Sequence, residues 1–236
     1  MTKECVYCIL KREKDGDLLD NLSDNKYGFI GQSLSYSYSP YINSLIGDYG
    51  FKQYEIAPND VPTFLKTCDY KAMGIASPYK KIAYDLSVAL SGSAIKSHFV
   101  NLVIKDTDGT LKGYNTDYDA FKALIKKYSI NFSGLKVLIL GTGGAAHAAK
   151  AVLSEIDTSS VIFVSRHGQN NYDNISVHYD SNILINATPV GMYPDNGASP
   201  VDLEGFTNLQ LVIDFVYNPV RTTLIQQAID KKIHVI

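Results

Sequence analysis

The sequence has no tryptophan, only three cysteines and no marked excess of charge of either sign. Its 22 basic and 24 acidic side chains give a formal charge of -2, so electrostatics provide no reason to expect nucleic acid or an anionic membrane as a partner. No apolar run approaches the roughly 18 residues of a membrane-spanning helix, and the N-terminus lacks the features of a signal peptide. We therefore expect a cytoplasmic protein that binds a small polar molecule.

The few cysteines also argue against a metal or redox centre. Cys5 and Cys8 are close enough in sequence to suggest a pair. A zinc site would need further ligands at suitable spacing, and a redox site would need a thioredoxin-like context. The sequence offers neither, so we expect reduced structural or surface thiols and no bound metal.

Apolar residues, in contrast, make up 45% of the 236 residues, which is ample for packed cores. Residues 1–26 are polar and typical of a solvated hairpin or flexible extension. From Tyr27 onward, short β-type runs alternate with helical ones, which predicts an α/β fold. We predict an N-terminal domain with a mainly parallel sheet over residues 27–118, followed by a Rossmann-type domain over residues 119–236.

Three local predictions concern the first domain. Ser39 is a suitable N-cap, and Pro40 suits the first position of a helix that ends before Gly50. The apolar spacing predicts a single helix from about residue 81 to residue 98. Residues 99–116 should then form a hairpin closed by a glycine-containing turn.

A short apolar run that ends in closely spaced glycines opens the second domain. The pattern Gly141-x-Gly143-x-x-Ala146 is the dinucleotide fingerprint with alanine in its third position. The first glycine makes the tight turn, and the second lets a pyrophosphate approach free amides at the start of the next helix. A glycine turn that serves only packing is the alternative, but the placement between a strand and a helix argues against it. The predicted cofactor-binding residues of this turn are Gly141, Gly143, Gly144 and Ala145.

The end of the following strand distinguishes between dinucleotides. It reads Ser165-Arg166-His167, without the carboxylate that usually bonds the ribose 2′-hydroxyl of NAD. An arginine can bind a 2′-phosphate bidentately, so Arg166 favours NADP. The alternative is that Arg166 is an ordinary solvated charge at a strand end.

Polar residues in the first domain indicate where a substrate would bind. Ser37 and Ser39 belong to a row of alternating serines just before a helix, which suits a polyol or carboxylate, although a serine-rich loop with an ordinary cap is an alternative. Lys80, Asn101 and Asp117 fall at strand ends, where open α/β sheets bind ligands. A lysine paired with an aspartate could move a proton to a carbonyl oxygen while hydride reaches its carbon.

Taken in order, these motifs resemble the shikimate dehydrogenase family, which uses NADPH to reduce 3-dehydroshikimate. The resemblance runs from about Tyr27 to Ile236. The matching stretches are Ser37-Tyr38-Ser39-Pro40, Pro78-Tyr79-Lys80, Val100-Asn101, Gly113-Tyr114-Asn115-Thr116-Asp117, Asn186-Ala187-Thr188-Pro189-Val190-Gly191-Met192 and Asp214-Phe215-Val216-Tyr217-Asn218-Pro219.

The resemblance implies an NADP-dependent enzyme of aromatic amino-acid biosynthesis, in the chorismate pathway, acting as a monomer or homodimer. It implies that Lys80 protonates the reacting oxygen, and that Asp117 orients this lysine. The implied substrate-binding residues are Ser37, Ser39, Asn101 and Tyr217. The implied cofactor-binding residues beyond the glycine turn are Ser165, Arg166, Thr188 and Phe215.

The sequence also departs from the family pattern. Ala76 stands in place of a substrate-binding threonine, and the loss of such a hydroxyl contact costs about 1–3 kcal/mol, which predicts weaker binding. Leu102 replaces a threonine, Ser165 replaces an asparagine, and residues 168–170 lack a second basic side chain. The family's closing helix, whose glutamine binds substrate, has no counterpart, which predicts a natural short form or a truncated chain.

These departures leave two alternatives open. One is a dehydrogenase of quinate or another cyclic hydroxy acid, because Ala76 enlarges the expected pocket. The other is a catalytically weak regulatory paralogue that keeps the dinucleotide site.

Overall fold

The computed structural model describes residues 26–34, 37–47 and 49–236. The predictions for the N-terminal extension, and for Cys5 and Cys8, concern residues outside these ranges. Cys68 is disulfide-bonded, so the expectation of reduced thiols is wrong for this residue. Sequence spacing gave no sign of it, because a disulfide depends on spatial approach. The chain divides into two compact units between Asp117 and Tyr118.

The first unit contains a six-stranded sheet. Its strands are β1 (Tyr27–Gly31), β2 (Phe51–Glu55), β3 (Ala72–Ile75), β4 (Ala89–Leu90), β5 (Leu102–Lys105) and β6 (Leu111–Tyr114). Its helices are α1 (Ser39–Ile46), α2 (Val61–Thr67), α3 (Lys80–Leu86) and α4 (Gly92–Ser97), with a 3-10 turn at Pro58–Asp60.

The strand order in this sheet is β2-β1-β3-β5-β6-β4. Strands β1, β2 and β3 are parallel, whereas β5 is antiparallel to both β3 and β6. Strand β6 therefore runs in the same direction as β3. The ends of β1, β3 and β6, and the start of β5, consequently lie at one edge of the sheet.

Among the described residues of this unit, one apolar core lies against the sheet. It joins alternate strand residues such as Ile30 and Ile75 to Phe64 and Leu65 of α2. Each fully buried side chain of this size contributes about 1.5–3 kcal/mol to stability. Helix α1, by contrast, has no buried residue.

Two local predictions for this unit are wrong. The predicted helix over residues 81–98 is interrupted, because the backbone amides of Val88 and Ser91 bond to the carbonyls of Leu111 and Gly113 and so add β4 to the sheet. Ser39 is the first residue of α1, not its N-cap. The predicted hairpin is confirmed as β5 and β6.

The second unit is a five-stranded sheet in which every paired neighbour is parallel. Its strands are β7 (Lys136–Leu140), β8 (Ser160–Val164), β9 (Ile183–Asn186), β10 (Leu211–Asp214) and β11 (His234–Val235), in the order β11-β10-β9-β7-β8. Its helices are α5 (Thr116–Lys127, which starts in the first unit), α6 (Gly144–Leu153) and α7 (Thr223–Asp230), with a 3-10 segment at Tyr172–His178.

Both faces of this second sheet are covered. Val137 and Ile139 of β7 enter one apolar cluster with α5 and α6, whereas Leu138 and Leu140 enter another with α7. Buried strands with helices on both faces characterise the Rossmann-type fold. The predicted α/β fold class is confirmed. Within the described residues, no helix is both long and apolar enough to cross a membrane.

Candidate active site and dinucleotide site

The first unit brings a lysine and a carboxylate into direct contact. Lys80 is the first residue of α3, beyond the end of β3, and Asp117 lies in the first turn of α5, beyond the end of β6. Lys80 Nζ donates to Asp117 Oδ2 at 2.6 Å, and the two side chains are 15% and 34% exposed. The pair is thus shielded yet accessible, as a proton-transferring pair must be.

The position of Lys80 is fixed by its neighbours. The preceding Tyr79 is fully buried, and its hydroxyl donates to the carbonyl of Ile56. The carbonyl of Lys80 accepts from the amide of Val100 at 3.1 Å. The main chain at Lys80 is therefore held to two other segments of the unit.

Asn101 lies at the same edge of the sheet, and its side chain is hydrogen-bonded to Thr116. Its Oδ1 accepts from the Thr116 amide at 2.8 Å, and its Nδ2 donates to Thr116 Oγ1 at 2.9 Å. Asn101 therefore bonds the first residue of α5, next to Asp117. The sequence motifs gave Thr116 no such role.

Ser37 and Ser39 form a hydroxyl pair at the start of α1. Ser37 Oγ donates to Ser39 Oγ at 3.0 Å and accepts from the Ser39 amide at 3.2 Å. Ser37 thus satisfies an amide at this helix start, which is the role predicted for Ser39.

A cavity of about 610 Å³ lies in the first unit. Its polar lining includes Ser39, Asn43, Asn101 and Thr116. Its remaining lining consists of aromatic, aliphatic and glycine residues, including Phe29 of β1. The cavity brings one predicted serine and Asn101 onto a common surface, whereas Lys80 and Asp117 lie outside its lining.

The glycine turn of the second unit has the backbone that its sequence predicts. Gly141 has a φ of +99°, and a Cβ there would meet the Ala187 carbonyl oxygen and Thr188 Cγ2 at 3.1 Å. Gly143 precedes α6 without a side-chain cap, and a Cβ at Gly143 would meet nothing within 4 Å. Open space beside uncapped amides at Gly144 suits the approach of a phosphate.

Ser165 and Arg166, the residues predicted to bind the 2′-phosphate of NADP, follow β8 directly. The loop is closed by a bond from the Ser165 amide to the Asn170 carbonyl at 3.1 Å, and Arg166 is exposed. Burial raises the pKa of the Tyr172 hydroxyl, while the nearby Arg166 charge acts in the opposite direction.

The remaining predicted residues occupy two loops of this unit. Thr188, after β9, bonds to Asn186 through both its amide and its hydroxyl. Phe215, after β10, packs edge-on against Phe121 with ring centroids 5.6 Å apart. Tyr217 is 63% exposed. Asn186, which holds Thr188, was not among the predicted residues, although it stands in the same motif.

Several curated proteins with similar sequences are named shikimate dehydrogenase (NADP(+)). A shikimate dehydrogenase (NADP(+)) from Clostridium beijerinckii is 31% identical over 220 residues, which cover 85% of this chain and 81% of that protein. The chain belongs to the shikimate dehydrogenase family. No protein-family model matches it.

Solved structures of the shikimate dehydrogenase family have the same fold. Shikimate dehydrogenase 1 from Peptoclostridium difficile matches with a TM-score of 0.80 and 28% identity, covering 89% of this chain and 84% of that one. The Thermus thermophilus enzyme, in complex with NADP(H) and shikimate, matches with a TM-score of 0.76 and 26% identity. That match covers 90% of this chain and 86% of the other.

This member of the shikimate dehydrogenase family carries Ala76 just beyond β3. The Ala76 amide donates to the Ile30 carbonyl at 2.8 Å, and its own carbonyl accepts from the Tyr79 amide at 3.0 Å. The backbone amide and carbonyl of Ala76 are thus both hydrogen-bonded within the first unit.

Proposed function

We propose that the protein interconverts 3-dehydroshikimate and shikimate by hydride transfer to and from NADP. The observation that carries this proposal is the Lys80–Asp117 contact at 2.6 Å in a chain of the shikimate dehydrogenase family. The domain predicted over residues 27–118, which contains the sheet of the first unit, is proposed to be the substrate-binding and catalytic domain. Residues 119–236 form the NADP-binding domain.

Lys80 acts on the oxygen of the reacting carbon. Its ammonium stabilises developing negative charge there and donates the proton that completes the alcohol. Asp117 holds the ammonium in place and bonds the substrate. Ser37 and Ser39 hold the substrate carboxylate, while Asn101 and Tyr217 bond its ring hydroxyls or carboxylate.

The second unit offers the groups that NADP requires. When bound, NADP supplies or accepts the hydride. Gly141, Gly143, Gly144 and Ala145 form the pyrophosphate-binding turn. The 2′-phosphate is bound by Ser165 and Arg166, and Thr188 and Phe215 contact the nicotinamide half.

Quinate or another cyclic hydroxy acid is a second candidate substrate, and Ala76 favours it. A methyl side chain in place of a threonine removes one hydroxyl and one methyl group from the pocket wall. Quinate differs from shikimate in carrying an additional ring hydroxyl, and the smaller side chain of Ala76 leaves space for it.

The test is a comparison of kcat/KM for shikimate and quinate, each with NADP+ and NAD+. We expect the highest value for shikimate with NADP+. A higher value for quinate supports the second candidate. Turnover of neither substrate, with retained NADP+ binding, supports a regulatory paralogue. Ala76→Thr is the matched variant, and it should lower the KM for shikimate.

The protein is further proposed to act in the cytoplasm, as a monomer or homodimer. Its partner is the small-molecule substrate, and neither nucleic acid nor a membrane is required.

A further inference from the structure

We infer that Asp214 is a positioning residue for the nicotinamide half of the dinucleotide site. Asp214 is the last residue of β10, and its hydrogen bonds connect the loops that follow β9 and β10. This inference rests on the proposed binding of NADP by the second unit, and it adds a residue to which the motifs gave no role.

One oxygen of Asp214 connects the two loops. Asp214 Oδ1 accepts from Asn186 Nδ2 at 2.9 Å and from the Val216 amide at 3.0 Å. Asn186 belongs to the end of β9, and Val216 lies in the loop that follows β10. A single carboxylate oxygen therefore links the neighbouring strand to the loop that carries Phe215 and Tyr217.

Asn186 connects Asp214 to Thr188 through hydrogen bonds. Asn186 is fully buried, and its Oδ1 accepts from the Thr188 amide at 3.0 Å and from Thr188 Oγ1 at 2.7 Å. The Nδ2 group of the same amide donates to Asp214 and, at 3.4 Å, to the Val190 carbonyl. Because the amide cannot rotate without breaking several bonds at once, Asp214 fixes the orientation of Thr188.

The other oxygen of Asp214 anchors the far end of the second loop. Thr222 is buried, and its Oγ1 donates to Asp214 Oδ2 at 2.6 Å while accepting from the Ile225 amide at 3.2 Å. Thr222 is the N-cap of α7. The loop from Phe215 to Thr222 is thus tied to Asp214 near both of its ends.

The charge of Asp214 suits this role. All three of its donors are neutral groups, and hydrogen bonds to an ionised acceptor are about twice as strong as those between neutral groups. Burial raises the pKa of this carboxyl group, and its three hydrogen bonds oppose the rise. An amide at this position would keep the shape of the side chain, but it would present N–H where Thr222 now donates.

The network adjoins the glycine turn. A Cβ on Gly141 would touch Thr188 Cγ2 at 3.1 Å, so the Thr188 loop packs directly on the turn proposed to bind the pyrophosphate. The adenine end of the site is proposed at Arg166, after β8, on the other side of β7 in the strand order. Loss of Asp214 should therefore affect one half of the dinucleotide and spare the other.

The experiment compares two ligands by calorimetry. NADP+ contains both halves of the dinucleotide, whereas adenosine 2′,5′-bisphosphate lacks the nicotinamide half. For Asp214→Asn we expect the Kd of NADP+ to rise about tenfold to a hundredfold, as for the loss of a hydrogen bond to a charged group. The Kd of adenosine 2′,5′-bisphosphate should stay within about twofold, the usual scatter for a site outside the altered contacts.

Thr222 provides a second, milder test if Asp214→Asn folds poorly. Thr222→Val removes the hydroxyl that bonds Asp214 and should selectively weaken NADP+ binding, whereas Thr222→Ser keeps it and should bind like the wild type. The exposed Asp230 of α7 provides a matched charge control, and Asp230→Asn should leave both Kd values unchanged.

Three results would overturn the inference. Unchanged NADP+ binding in Asp214→Asn removes Asp214 from the site. Equal losses for both ligands in Asp214→Asn and Thr222→Val show a general structural role. Wild-type protein that binds neither ligand contradicts the proposed function itself, and with it the positioning role.

Discussion

The contact between Lys80 and Asp117 makes a quantitative prediction about turnover. Lys80→Met keeps the length of the side chain and removes the ammonium. A positioned general acid contributes about 10²–10⁴-fold to the rate. At about 1.36 kcal/mol for each factor of ten, the variant should lose about 2.7–5.4 kcal/mol of transition-state stabilisation. The loss should appear in kcat, with a smaller change in KM.

The stability of the fold should change much less. Asp117 is 34% exposed, so water can solvate its carboxylate when the lysine is removed. Partly exposed ion pairs contribute about 0–1 kcal/mol to folding. The midpoint of urea unfolding should therefore move little, which separates lost chemistry from lost structure.

A double-mutant cycle tests whether the two residues act as one unit. If Lys80→Met and Asp117→Asn each cost about 10²–10⁴-fold, independent action would make the double variant slower by about 10⁴–10⁸-fold. Direct contact predicts instead that the double variant resembles the slower single variant. Lys81→Met is the matched control, because Lys81 pairs with Asp85 on the exposed side of the same helix. Near-normal kcat in Lys80→Met, or fully additive losses, would refute this reasoning.

Three further predictions concern the second unit. Gly143→Ala should raise the KM for NADP+ with little change in stability, because the new Cβ would enter open space. Gly141→Ala should instead lower the free energy of unfolding in urea by about 1–2 kcal/mol, because the residue has a φ of +99°. Arg166→Gln should raise the KM for NADP+ about tenfold to a hundredfold and leave that for NAD+ unchanged; equal changes for both would contradict a 2′-phosphate contact. Burial, followed by the Lys136 charge, lowers the pKa of His178. The folded state therefore favours the neutral imidazole, and this contribution to the free energy of unfolding is complete above about pH 6.5 and is lost as the pH falls through the folded-state pKa. Urea midpoints from pH 5 to pH 8 should show this slope in the wild type and less of it in His178→Gln.

Much of the fold could be predicted because its signals are local. The glycines after β7 and the apolar strand runs identify a Rossmann-type unit without knowledge of distant contacts. The break between α3 and α4 could not be predicted in the same way. Strand β4 is two residues long and exists because Val88 and Ser91 bond to β6, a pairing that apolar spacing does not encode.

Some contacts of the candidate site could likewise be predicted from the sequence, and others could not. The meeting of Lys80 and Asp117 follows from strand ends that share one edge of a sheet, so sequence order was enough to predict it. The choice of Thr116 as the partner of Asn101 depends on side-chain positions within the folded unit. The same holds for Asp214, which the motif includes but whose bonds to Asn186 and Thr222 only the structure reveals.

The most direct test of the central claim is the stoichiometry of the reaction with purified protein, shikimate and NADP+. We predict that NADPH and 3-dehydroshikimate appear together in equal amounts, and that Lys80→Met slows the formation of both about 10²–10⁴-fold while NADP+ still binds. Binding of NADP+ without any shikimate-dependent formation of NADPH would contradict the account.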